Sequence, residues 1–202
     1  MKNSTKPHIE RSLVLIKPDA VRRGLIGEIL HRFERAGLKI VGAKIIHADQ
    51  SVAKKHYQKD EVWQQKVGEF TMKDCMAAGL DIEEFFGTVD ATEIGKIVNE
   101  WLYEMFTFGP VFAFVMEGPD SVAKIRSLVG STYPAFAPAG TIRGDFGMDS
   151  AIVSMKNKRA VLNLIHASGT PEEATEEIKL WFKEEELISY KTTQDEIYSY
   201  CG

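Results

Sequence analysis

His166 follows the apolar run Val161-Leu162-Asn163-Leu164-Ile165 and precedes the small-residue turn Ala167-Ser168-Gly169. An imidazole at such a boundary is half exposed and able to act as a nucleophile, although most histidines do no chemistry. Lys17 closes the run from Arg11 immediately before Pro18, where a lysine alone reads as a surface residue. Arg126 lies four residues after Val122 and three before Val129, on or beside the apolar stripe of its helix. It either snorkels or offers a fixed cation to a pocket. Arg143 sits in Gly140-Thr141-Ile142-Arg143-Gly144-Asp145. The flanking glycines permit close backbone approach to a ligand, and Asp145 is the alternative, a salt-bridge partner.

The usual signatures of other chemistries are missing. Neither Gly-x-x-x-x-Gly-Lys-[Ser/Thr] nor Gly-x-Gly-x-x-Gly occurs, and there is no His-Glu-x-x-His or Gly-x-Ser-x-Gly. His8, His31, His47 and His56 sit in a tail, on a polar helix face or at element margins, and read as structural or solvated. Cys75 and Cys201 have no metal-ligand spacing and read as free thiols of a reducing compartment.

The elements that must position these residues are legible as periodicities. Arg11 to Lys17 is a strand stopped by Pro18-Asp19, and Leu25 to Phe33 repeats at helical spacing up to Gly37. Ile40 to Ala48 is a second strand, and a short helix from Ser51 to Tyr57 has Ser51 as its expected cap. From about Gln58 to Phe108 the chain is helical and more charged. Thr71 to Asp74 resembles a capping box closed by Gly79, and Ile94 to Met105 forms one apolar stripe. Val111 to Glu117 is the third strand, Pro119 opens a helix ending at Gly130, and a Pro- and Gly-rich loop runs from Ser131 to Gly147. Val161 to Ile165 is the fourth strand. Thr170-Pro171-Glu172-Glu173 then starts the next helix, with a cap, a first-turn proline and a glutamate three residues on. This order predicts an α+β fold of the ferredoxin-like kind, a four-stranded antiparallel sheet covered by helices. Asn163 and His166 have opposite parity, so both can serve one site only if the chain turns near Ile165.

Composition narrows the class further. A 202-residue chain with 44% hydrophobic residues reads as one soluble domain, 1–202, large enough to bury its own core. Net charge of -4 argues against a dedicated nucleic-acid surface. No apolar run approaches a membrane span and the N-terminal residues lack a signal-peptide core, so the expected compartment is the cytoplasm.

Taken together, SLVLIKPDAVRRGLIGEILHRFERAGLKIVG, KKHY, GPVFAFVMEG, VGSTYPAFAPAGTIRGDFG, NLIHAS and EIKLWFKEEELISY resemble the nucleoside diphosphate kinase family in order and spacing. The resemblance implies transfer of a γ-phosphoryl group from a nucleoside triphosphate to a diphosphate, in two steps through a phosphohistidine. It assigns the phosphohistidine to His166 and the positioning carboxylate to Glu177. Arg126, Thr132 and Arg143 match the family's phosphate clamp, Lys17 and Asn163 the residues at the sugar hydroxyls, and Tyr57 the tyrosine beside the γ-phosphate. It also implies Mg²⁺ held mainly by nucleotide phosphates, the ferredoxin-like fold, and a homo-oligomer: a hexamer, alternatively a tetramer or dimer.

The chain departs from the family pattern at four places. Ala20 and Ala167 stand where glycines are usual, and extra residues mark a helical insertion at 58–93 and a second, short one at 146–160. Counting back from Pro110 puts the family's base-stacking phenylalanine at Val98 or Ile97, leaving Phe85, Phe86 and Trp101 as aromatic replacements. Two rivals remain: a nucleotide-binding regulatory protein without catalysis, and an interaction protein built on the inserted helices, where Trp63 and Val67 would belong to the surface.

Overall fold

The computed structural model describes residues 9–57 and 60–200; His8, Gln58 and Cys201 lie outside the described residues. Strand β1 (Ile9–Ile16) is central, antiparallel to β3 (Val111–Pro119) on one side and β4 (Ile165–Ala167) on the other. β2 (Lys39–Ile46) pairs with β3, giving the order β2-β3-β1-β4. This is the expected four-stranded antiparallel sheet.

Both faces of β1 are covered from Leu13 to Ile16, which is why that half of the strand is continuously apolar rather than alternating. Leu13 and Leu15 point to one core layer with Val111, Ala113 and Val115, while Val14 and Ile16 point to the other with Phe114 and Met116. The second layer is covered by α1 (Pro18–Arg22), α2 (Ile26–Arg35) and, later in the chain, the helix at Ser121–Val129. The first is covered by α3 (Gln50–His56) and by α6 (Ala91–Thr107), which follows α4 (Glu61–Ala77) and α5 (Ile82–Phe86). Ser121–Val129 is α7, followed by α8 (Ile142–Phe146), α9 (Ala151–Lys156), α10 (Pro171–Trp181) and α11 (Thr193–Tyr200). Trp181 of α10 closes the first layer.

Several local expectations are corrected. The helix at 50–56 is capped by Asp49, whose Oδ1 accepts from Val52 N at 2.9 Å and from the Ser51 hydroxyl at 2.7 Å. Thr71 to Asp74 lies inside α4, because Asp60 supplies an earlier cap through Trp63 N; the Thr71 hydroxyl instead back-bonds to Val67 O. Pro119 ends β3 rather than opening α7, and Asp120 at φ 47° makes the corner.

The largest correction concerns the fourth strand. Val161 to Leu164 form no strand, and pairing begins only at Ile165. Leu164 has φ 71°, and Ile165 N donates to Asn163 O at 2.8 Å, a γ-turn about a left-handed non-glycine residue. The required turn therefore exists one residue before the expected place. It is held from outside: Lys17 N donates to Leu164 O at 2.8 Å, and Asp19 Oδ2 accepts from Leu164 N at 3.0 Å.

α4 crosses α6 at very short range. A Cβ built on Gly68 would lie 1.7 Å from Ala91 O, and one on Gly95 would lie 2.0 Å from Gln64 O. Neither position admits a side chain without separating the helices. Among the described residues, no helix is long and apolar enough to cross a membrane.

Candidate active site

A cavity of about 750 Å³ opens beside the Leu164 turn. Lys17, Tyr57, Val98, Arg126, Thr132, Arg143, Asn163 and His166 all line it, brought from seven separate stretches of chain. Glu177 is not at the cavity wall; it is buried directly behind His166.

His166 occupies β4 opposite Leu15. Its Nε2 lies 3.0 Å from Glu177 Oε2 and 2.9 Å from Oε1. Ser168 Oγ donates to the same carboxylate at 2.7 Å. Thr170 caps α10 through Glu173 N, and that cap fixes the helix from which Glu177 reaches the imidazole. His56 completes the cluster. Its ring stands edge-on to His166 with centroids 4.4 Å apart, Trp181 Nε1 donates to its Nδ1 at 3.3 Å, and its Nδ1 is 3.7 Å from Glu177 Oε1. His56, read from sequence as a margin residue, is thus a buried part of the site. Its adjacency in sequence to Tyr57 is the one signal that points to it.

The cations are placed by backbone as much as by charge. The Arg143 guanidinium donates to three main-chain carbonyls: Nε to Asn163 O at 3.1 Å, Nη1 to Gly130 O at 3.0 Å and Nη2 to Ile165 O at 2.6 Å. A guanidinium carries five N–H groups, so two remain for a ligand. Asp145 is not its partner; it pairs with Arg32 at 2.7 Å and caps Gly140 N. The glycine at 144 is required by its own loop, since a Cβ there would meet Pro138 O at 2.1 Å. Lys17 Nζ donates to Asn163 Oδ1 at 2.7 Å, and Asn163 Nδ2 donates to Thr132 O at 3.0 Å. Lys17, Asn163 and the Thr132 loop therefore form one chain of hydrogen bonds. Arg126 stands exposed at the cavity rim, on the side of α7 away from the core.

Electrostatics follow from this burial. Lys17 is lowered to about 7, first by burial and then by the Arg143 charge, with Asp19 opposing. Arg143 is lowered to about 10, chiefly by burial, with Tyr57 opposing and the Arg126 charge adding to it. It stays protonated at neutral pH. Asp19 is raised by burial and pulled back by Lys17. The Tyr57 hydroxyl is pushed far up by burial and then by Glu177, so it remains a neutral donor. Arg126, Arg143 and the readily charged Lys17, crowded around one cavity in a chain of net charge -4, form a site that an anion relieves.

The aromatic replacements expected at the base are elsewhere. Phe85, Phe86 and Trp101 stack among themselves, with centroids 4.8 and 5.9 Å apart for successive pairs, and none of them lines the cavity. The cavity instead takes Trp63 and Phe70 from α4 and Tyr133 from the loop before α8.

Known proteins resemble this chain in both sequence and fold. The nucleoside diphosphate kinase family model matches residues 10–79 and 70–187. A nucleoside diphosphate kinase of Pyrobaculum aerophilum is 43% identical over 180 residues, covering 89% of this chain and 98% of the relative. One from Borreliella burgdorferi is 36% identical over 193 residues, covering 96% and 99%. The crystal structure of an NDP kinase from Pyrobaculum aerophilum superposes with a TM-score of 0.87 at 42% identity, over 90% of this chain and 100% of that one. A transition-state mimic of the Borrelia burgdorferi enzyme with bound vanadate and ADP gives 0.76 at 37% identity, over 96% and 98%. The chain belongs to the nucleoside diphosphate kinase family, and its activity is phosphoryl transfer between nucleotides.

Proposed function

We propose that His166 carries the phosphoryl group and that the residues around it divide the remaining work. The observation that supports this most directly is the chain Ser168–Glu177–His166 beside a cavity lined by Lys17, Arg126 and Arg143. With Nε2–H donated to the Glu177 carboxylate, the neutral tautomer carries its lone pair on Nδ1. That nitrogen attacks the γ-phosphorus of a nucleoside triphosphate. The bond to the β-phosphate bridging oxygen breaks, and the diphosphate leaves with the electron pair. The carboxylate of Glu177 stabilises the imidazolium character that develops. A second diphosphate then attacks the phosphoramidate by the reverse path, and the neutral histidine is restored.

Positioning and charge neutralisation supply the rest of the acceleration. Arg143, with two N–H groups remaining, and Arg126 at the rim bind the β- and γ-phosphates, joined by the Thr132 hydroxyl. Lys17 and Asn163, already bonded to each other, hold the sugar hydroxyl nearest the transferred group. The neutral Tyr57 hydroxyl donates beside the imidazole. Val98 lies on the base side of the cavity.

The cavity suits a nucleotide that brings its own metal. Among the described lining residues Glu173 is the one carboxylate, too few oxygen ligands for a protein cage around Mg²⁺. The ion would therefore be held mainly by the nucleotide's phosphates, whose charge it would spread. The reading extends to one domain, 1–202, with insertions at 58–93 and 146–160. The two overlapping stretches of the family match and the packing of α4 against α9 support that division. A cytoplasmic homo-oligomer, as hexamer, tetramer or dimer, is part of the same proposal; family membership supports the assembly, and the buried free thiol of Cys75 suits a reducing compartment.

The test uses Mg²⁺ and γ-labelled ATP. Wild type should acquire acid-labile, base-stable label that a chase with GDP or CDP removes, and His166→Ala should acquire none. Undiminished label in His166→Ala would exclude this histidine as the carrier.

A further inference from the structure

Asn163 sits between two peptide groups that are each held by a carboxylate. On its C-terminal side Asp19 Oδ2 accepts from Leu164 N at 3.0 Å. On its N-terminal side Asp149 Oδ2 accepts from Leu162 N at 2.8 Å. Val161 to Asn163 lie outside the sheet, so Asp149 gives Leu162 N the acceptor that a neighbouring strand would otherwise supply. Asp19 comes from the turn after β1. Asp149 comes from the segment 146–160, proposed above as the second insertion, and no step of the phosphoryl transfer uses it.

Asp149 is itself built into place. It is buried, and a carboxylate there is costly unless it is paired and hydrogen-bonded. The Arg159 guanidinium forks onto both of its oxygens, with Nη2 donating to Oδ1 at 3.1 Å and Nη1 to Oδ2. Nη1 also donates to Ala160 O at 3.0 Å. Burial pushes the Asp149 carboxyl up, but Arg159 and Leu162 N together hold it below the usual carboxylate range. It is therefore a charged acceptor at neutral pH. Between Asp149 and Arg159 the chain forms α9. Ser150 Oγ caps this helix through Val153 N at 3.2 Å, and Lys158 at φ 48° turns the chain so that Arg159 N donates to Ser154 O at 3.2 Å. The ion pair closes this segment into a strap. α9 packs on α4, and Lys158 Nζ stands 5.0 Å from the ring centroid of Phe85 in α5, so the strap leans on the other inserted segment.

We infer that Asp149 is a positioning residue for Asn163, and that the strap at 146–160 serves to deliver it. Asp19 and Asp149 fix the two peptides around Asn163, and its side chain then meets Lys17 and Thr132 without freedom to swing. A group aligned to a substrate hydroxyl loses effect with small displacements, which gives the buried carboxylate its use. The inference rests on the proposal that Asn163 meets a sugar hydroxyl of the nucleotide.

The experiment measures kcat/KM for two phosphoryl acceptors, ADP and 2′,3′-dideoxy-ADP, with Mg²⁺-GTP as donor. The enzymes are wild type, Asp149→Ala, Asn163→Ala and the double variant. Asp149→Ala should lose about 5- to 20-fold on ADP and less than about twofold on the dideoxy acceptor, so its preference for the hydroxylated sugar collapses. In the Asn163→Ala background the same substitution should cost less than about twofold, because the residue it positions is gone. Asp149→Asn keeps an oxygen for Leu162 N and with it the fold; its loss should have the same sign and be smaller. Equal losses on both acceptors, with Asn163→Ala selective for ADP, would overturn the inference, as would Asp149 and Asn163 effects on ADP that simply add. Asn163→Ala without any selectivity would instead remove the sugar reading, and additivity on ADP would then decide whether Asp149 still acts through Asn163.

Discussion

The two ends of the cavity are built by opposite means. At the polar end, Lys17, Asn163, Arg143 and Glu177 are buried or nearly so, and each is held by named hydrogen bonds at 2.6 to 3.1 Å. At the outer end, Trp63, Val67, Phe70 and Val98 offer apolar surface with no polar constraint, and Phe70 is largely exposed. The difference follows from what each end must do. In-line transfer loses rate steeply with small misplacements, so its groups are anchored to the sheet and to main-chain carbonyls. An apolar wall needs only area and a fixed distance.

This contrast is open to attack from its strongest side first. Arg143→Ala removes the donor to three carbonyls and the main cation together. kcat/KM should fall about a thousandfold or more, and the midpoint of urea unfolding should drop by an amount equivalent to about 3 kcal/mol. Loss of activity with unchanged stability would mean that the guanidinium is a ligand clamp and not also a structural brace. Lys17 gives the next effect. In the empty site it is lowered to about 7 by burial and Arg143, whereas bound phosphates favour its charged form. Nucleotide affinity should therefore be highest below pH 7 and fall by at most about tenfold per unit as pH rises through 7. Calorimetry in buffers of different ionisation enthalpy should find close to one proton taken up on binding at pH 8, an uptake that Lys17→Met abolishes. A flat affinity from pH 6 to 8.5 would contradict this. The smallest effect belongs to the link between the ends. Tyr133→Phe removes the hydrogen bond to Asp74, and KM for nucleotide should rise about two- to fivefold with kcat unchanged. A matching fall in kcat would show that the α4 wall of the cavity is coupled to the chemistry itself.

What can be read from the sequence tracks how local each determinant is. β1, α2 and α10 announce themselves through apolar runs, Gly37 and the Thr170–Glu173 cap, and all three are where their residues indicate. The fourth strand misleads because Val161 to Ile165 is apolar, while its path is set by distant groups. Leu164 takes a left-handed conformation only because Lys17 and Asp19 hold its peptide groups. Likewise the apparent box at Thr71 loses to Asp60, well upstream and a better-placed cap. At the site, Lys17, Asn163 and His166 can be singled out by position and by family pattern, but not the identity of their partners. Arg143 bonds carbonyls rather than Asp145, and His56 is buried against His166. Phe70 carries no sequence signal at all, because the direction of a helical stripe is fixed by the Gly68–Gly95 crossing and not by the stripe.

The turn at Leu164 also sets when the enzyme becomes competent during its own synthesis. Lys17 and Asn163, bonded to each other, are separated by 146 residues, and Asp19 and Leu164 by 145. β1, β2 and β3 can pair as soon as residue 119 has emerged, but β4 is made last and slots in beside β1. Until it does, Asn163 and His166 have no strand or turn to orient them. A chain still on the ribosome can hold most of its fold and bury most of its core while remaining unable to accept a phosphoryl group. Its catalytic life begins with the closing of the sheet.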